Sequence, residues 1–237
     1  MPSTPIPRSP HGWGLRRHVL LTGLLVATAA SWLSGASVHA QTIAAQRIVV
    51  RSYNTVGLPV SILGHAESTV SGLLHEAGID SSWRNCRTTS GPSSQSSDSC
   101  ADVLNASEVI VRVVRTPPAI TDVEVLGYSH VDPYRRQGTL ATVFADRVRV
   151  LAAALRIDEG TLLGRAITHE LGHLLLGTLE HAETGLMRGA WNTPDRRRAD
   201  WLFSSAEATR MRAGLQARTR SPLLAVVRAS RDQQSPQ

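Results

Sequence analysis

Ala166-Ile167-Thr168-His169-Glu170-Leu171-Gly172-His173-Leu174-Leu175-Leu176-Gly177 is the stretch on which the fold turns. Its apolar residues recur at helical spacing. Upstream, Asp158-Glu159-Gly160 places acids where a helix start favours them. The predicted helix runs from Thr161 to Leu176 and stops at Gly177. His169 and His173 are just over one turn apart, so both project from one face. Two imidazoles so placed suit one Zn²⁺, bound at about 2.0–2.1 Å. Glu170 is rotated about 100° from His169 and reaches the position where a water would complete such a site. There it would take the water's proton and pass it to a leaving amine, the zinc lowering the water's pKa toward about 7. A carboxylate and two imidazoles on an otherwise apolar helix would be costly to bury without a metal to bind. The pattern is that of zinc-dependent hydrolysis.

A catalytic zinc of this kind takes three protein ligands. Two arrangements stay open. In one, the chain turns at Gly177 and brings back His181, eight residues after His173. In the other, a carboxylate on a later helix completes the set, and Glu207 is the best placed. His65, His75 and His130 lie far upstream and read as surface or core histidines. A different class of reading is an exported zinc domain that binds a partner without catalysis. Glu170 argues against it, because a closed structural site has no use for that residue.

Working outward, residues 47–53 (RIVVRSY) read as a strand and residues 61–78 as a helix ended by Gly78. A short strand is expected around Ser82–Cys86. Residues 108–115 (EVIVRVVR) form another, stopped by Pro117-Pro118, and residues 123–130 (VEVLGYSH) a further one. After the turn 132–138, TLATVFA is a strand to about Ala145. Ala145 to Leu155 fits either a strand end or a helix. Residues 204–217 read as a helix capped by Ser204 or Ser205. The order gives an α+β domain, with a sheet in the first half and the HELGH helix behind it.

The chain has 237 residues, 42% of them hydrophobic, which suits one domain with a real core. Residues 1–40 read as a secretory signal: Arg8, Arg16 and Arg17 without an acid, an apolar run from Val19 to about Leu33, and cleavage after Ala40. That run is shorter than the roughly 20 residues that span a bilayer, so no stable membrane insertion is expected after cleavage. Residues 41–220 form the expected domain, and 221–237 a basic, polar tail expected to be disordered. Every basic residue is Arg. Beyond Ala40, 22 Arg stand against 19 acids, a net of +3, and export makes nucleic acid an unsuitable partner. Cys86 and Cys100 are expected to form a disulfide in an exported chain, closing a Ser-rich loop. The protein is thus expected in the periplasm or outside the cell, as a monomer.

From Thr168 to Trp191 the sequence resembles the metzincin group of zinc endopeptidases, whose pattern is HExxHxxGxxH followed by a tight turn containing Met. Here the run continues past His173 to Gly177, His181 and Gly185-Leu186-Met187. Gly177 comes one residue later, and His181 two residues later, than in that pattern. The stretch also resembles small exported bacterial proteins with HELGHLLLG, a nearby His and a GxM turn followed by Trp, here Trp191. The resemblance implies a zincin/metzincin-like fold: a twisted mixed sheet with an antiparallel edge strand, packed on the active-site helix, plus a C-terminal helix. It implies a zinc metalloendopeptidase acting on a peptide or protein substrate. One catalytic Zn²⁺ would be held by His169, His173 and His181, with Glu170 as general base and Met187 as a floor beneath the metal. By the same analogy Gly138 to Phe144 is the candidate edge strand that pairs with substrate, an ordinary core strand being the alternative. Residues 41–46 are too few to act as an inhibitory pro-segment.

Overall fold

A computed structural model describes residues 46–86, 100–122, 124–191 and 198–220. The expected signal, the Ser-rich loop 87–99 and the tail 221–237 lie outside the described residues. Within them the chain is a mixed α/β structure. Five strands, β1 (Gln46–Asn54), β2 (Ile79–Cys86), β3 (Glu108–Val114), β4 (Gly127–Asp132) and β5 (Gln137–Phe144), form one sheet in the order β2-β1-β3-β5-β4. Helix α1 (Val60–Glu76) carries the chain from β1 to β2, and that crossover makes the pair parallel. β1–β3 and β3–β5 are parallel too, and β4 joins antiparallel to β5 through the turn after Asp132. Helix α2 (Ala145–Leu155) follows β5, then α3 (Glu159–Leu176), and α4 (Ser205–Arg220) closes the described chain.

The core lies between the sheet and helices α1 and α3. β1 contributes Ile48 and Val50, β3 the alternating Val109, Val111 and Val113, and β5 Ala141 and Val143. α1 supplies Ala66, Val70 and Leu74, and α3 supplies Leu163, Ile167, Leu171 and Leu174. The two helices approach closely: a Cβ at Gly164 would lie 2.6 Å from the Cβ of Thr69. α3 is set at both ends by its own sequence. Asp158 accepts a hydrogen bond from the Thr161 amide at 2.8 Å, and Gly177 ends the helix in the left-handed region at φ 66°. Gly177 is also obligatory for space, since a Cβ there would fall 1.9 Å from the Arg136 carbonyl oxygen in the β4–β5 turn.

The structure corrects two expectations. Gly138–Phe144 is not the edge strand: β5 lies between β3 and β4, and the antiparallel edge is β4. The apolar content of β5 reflects burial on both flanks rather than a cleft rim. The expected strand 123–130 also begins later, at Gly127. Before it, the carbonyls of Ile120, Asp122 and Val125 accept from the Arg147 guanidinium of α2, so that segment is a loop instead of a ladder strand. The ambiguous stretch 145–155 is helical. Asp146 at its start accepts from the Thr116 amide and hydroxyl, both at 2.9 Å, which ties the end of β3 to α2. Cys86 and Cys100 are joined by a disulfide. No helix among the described residues is long and apolar enough to cross a membrane.

Candidate metal centre

His169, Glu170 and His173 all lie on the buried face of α3. Each histidine is oriented by a carbonyl. His169 donates from Nδ1 to Leu186 O at 2.8 Å, and His173 from Nδ1 to Thr178 O at 2.9 Å. A carbonyl only accepts, so Nδ1 carries the proton in each neutral ring and each Nε2 presents a lone pair. The two Nε2 atoms are 3.1 Å apart. Two lone pairs facing at that distance repel unless a cation lies between them. Tetrahedral zinc with bonds of about 2.0–2.1 Å needs its nitrogens about 3.3 Å apart, so the pair fits a metal. Burial drives the His169 pKa down to about 3, with the neighbouring imidazoles and Arg188 adding to the effect, and burial lowers that of His173 as well. Both rings are therefore neutral, the form that ligates.

His181 completes the group. It is exposed, and one ligand atom from each of His169, His173 and His181 lies within 4.8 Å of the others. Its ring stacks on His169 at 5.2 Å and meets His173 edge-on at 4.9 Å. The longer spacing is absorbed just after α3, where the Glu180 amide donates to Thr178 Oγ1 at 3.1 Å and turns the chain back. The following segment folds under the helix. Ala182 N–H donates to Met187 O at 2.9 Å, Gly185 takes φ 77°, and Leu186 N–H donates to Leu202 O at 3.0 Å. Met187 is buried beneath Gly172: a Cβ on that glycine would fall 2.4 Å from Met187 Sδ. Trp191 stands edge-on to His169 at 5.5 Å and to Trp201 at 5.2 Å. Trp201 in turn carries the guanidinium groups of Arg165 and Arg188 over its ring, at 3.9 and 4.5 Å.

Glu170 points to the sheet edge. Ser129 of β4 donates to Glu170 Oε2 at 2.7 Å. Burial raises the Glu170 pKa to about 7, against the pull of the Ser129 hydrogen bond. A cleft of about 200 Å³ opens over the group, lined by His169, Glu170, His181, Gly127 and Trp191. A more apolar recess of about 460 Å³ adjoins it, sharing Leu126, Leu151 and Trp191 as walls.

Among solved structures, the chain is similar to archaemetzincin from Methanopyrus kandleri. The match has 15% identity and a TM-score of 0.48, and covers 72% of this chain and 96% of that one. No protein-family model and no curated protein matches the sequence.

Glu207, the alternative third ligand, is not among the residues brought together. Its Oε2 accepts from the Ser204 amide at 2.7 Å and the Ser204 hydroxyl at 2.9 Å, a capping box at the start of α4. His65 pairs with Asp158 and His75 with Asp80, while His130 stands exposed beside Tyr128 on β4. The sequence reading missed Ser129, Gly127 and the two carbonyls that orient the histidines. Small residues at alternate positions of β4, Gly127 and Ser129, were the available signal, since such residues mark a close approach to a strand.

Proposed function

We propose that the chain is an exported zinc-dependent peptidase, with His169, His173 and His181 as ligands and Glu170 as general base. The observation that carries the reading is the convergence of three imidazoles with a buried carboxylate in one cleft. Zinc bound there would supply Lewis acidity, activating a water and polarising the scissile carbonyl. The protein's own groups do the rest. Leu186 O and Thr178 O fix the rings so that both Nε2 atoms face the metal position. Glu170 takes the proton of the attacking water and delivers it to the leaving nitrogen, and the burial that disfavours its charged form eases the uptake. The outer edge of β4 is open in the sheet order and lies beside Glu170, so an extended peptide could add to it as a further strand. The Cys86–Cys100 disulfide supports export, because such bonds persist in oxidising compartments.

The test combines metal content with turnover on a denatured-protein or peptide-library substrate. Wild type should carry one zinc per chain. Glu170→Ala should keep that zinc and lose hydrolysis by at least about 100-fold. Zinc-free wild-type protein, or an active Glu170→Ala variant, would refute the reading.

A further inference from the structure

Glu170 has two carboxylate oxygens, and they have different surroundings. Oε2 accepts from Ser129 Oγ at 2.7 Å. The same hydroxyl is 2.8 Å from the Glu170 main-chain oxygen, so its single proton is shared between side chain and backbone of one residue. No described residue donates to Oε1. That oxygen lies beside Gly127, where a Cβ would come within 3.1 Å of it and within 2.5 Å of the Thr142 carbonyl oxygen. Gly127 and Ser129 are alternate residues of β4 and face the helix together, while Tyr128 and His130 point outward and are exposed. Ser129 itself is buried, with 8% of its surface exposed.

We propose that Ser129 is a positioning residue for Glu170: its hydroxyl holds Oε2 and so turns Oε1 into the cleft, over space that Gly127 leaves clear. The inference rests on the reading of Glu170 as general base. A glutamate side chain has three rotatable bonds, and its free carboxylate would sample many orientations. Anchored at one oxygen and through its own backbone carbonyl, it presents the other in a single direction. Proton transfer needs that oxygen within hydrogen-bond reach of the water, and misplacement by about 1 Å can cost about 100-fold in rate.

The experiment uses Ser129→Ala and Ser129→Thr in the full chain, each loaded with zinc and, separately, metal-free. In the zinc-loaded protein, Ser129→Ala should keep the wild-type metal content and lose about 10–100-fold in kcat, with KM within about twofold. Ser129→Thr, which keeps the hydroxyl, should recover most of that loss. In the metal-free protein at a pH where Glu170 is ionised, isotope-edited infrared difference spectra should show a displaced carboxylate band in Ser129→Ala. The same substitution made in a Glu170→Gln background should show none. An unmoved band, a band that moves equally in the Glu170→Gln background, or a loss carried by KM alone would overturn the proposal. Should zinc-loaded wild type hydrolyse nothing, the peptidase reading falls, while the infrared comparison still decides whether Ser129 holds Glu170.

Discussion

Gly172 looks dispensable in sequence, a helix-weakening residue between two candidate ligands. The structure gives it a reason: Met187 Sδ and Phe203 Cε1 occupy the space of its missing side chain, 2.4 and 2.9 Å from a Cβ built there. Alanine would gain up to about 1 kcal/mol of helix propensity but overpack a filled site, which costs about 1–3 kcal/mol. Gly172→Ala should therefore lower stability, measured by chemical denaturation, and lower zinc affinity by tilting His169 and His173. The double variant with Met187→Ala should lose less than the sum of the two single changes, because the second substitution removes the clash. Strict additivity would show that Met187 is not what Gly172 accommodates. Gly177 is a harsher case, with a left-handed φ of 66° and a backbone oxygen 1.9 Å from the would-be Cβ. Alanine there adds αL strain to the clash and should cost about 2–5 kcal/mol.

Among elements, α4 bears on the two ligand sets left open by the sequence, because it engages Glu207 in its own first turn. Its first turn is a Ser204–Glu207 box, in which Ser204 Oγ also accepts from the Glu207 amide at 3.2 Å. Glu207→Ala should cost about 0.5–2 kcal/mol as a lost cap and leave zinc content at the wild-type level. His181→Ala should do the reverse, shedding zinc with little change in the stability of the metal-free protein. Full zinc retention in His181→Ala would move the third ligand elsewhere. The strongly periodic elements were legible: β1, α1, β3, α3 and α4 fall close to where period and caps put them, since those signals are local. The order of strands was not, because it depends on pairing between distant segments. The resemblance offers β5 as the edge, whereas β4 folds back outside it. For the same reason the motif announces His169, Glu170 and His173, while Ser129, 41 residues away from Glu170, became visible only once β4 was laid across α3. The loop before β4 failed as a strand because its carbonyls serve Arg147, a partner no local pattern reveals.

At the scale of the whole molecule, the half of the sheet far from the histidine cluster carries one buried acid with the disulfide beside it. Glu108 of β3 accepts from Arg51 of β1, from Arg84 of β2 at 2.9 Å, and from the Asn105 amide at 3.0 Å, so three strands meet at one carboxylate. Arg51 also reaches the carbonyls of Cys100 and Asp102, which joins this cluster to the Cys86–Cys100 bridge. Closing a loop of that length should contribute about 3 kcal/mol, so reduction should lower the denaturation midpoint without releasing zinc. The carboxylate makes a sharper, pH-dependent prediction. Burial alone would raise the Glu108 pKa, but the Asn105 amide and the two guanidinium groups hold it below the usual carboxylate range. A group with a lower pKa in the folded state binds protons more readily when unfolded, so its stabilisation is complete above the unfolded value of about 4.3. It is lost as pH falls from there through the lower folded value. Glu108→Gln leaves Arg51 buried without its anion, and should cost about 3 kcal/mol at neutral pH. The difference in unfolding free energy between wild type and variant should then shrink as acid protonates Glu108 in the wild type. Urea titrations at a series of pH values measure that difference directly. A gap that stayed constant from about pH 7 to about pH 3 would mean that the charge on Glu108 does not stabilise the junction of β1, β2 and β3.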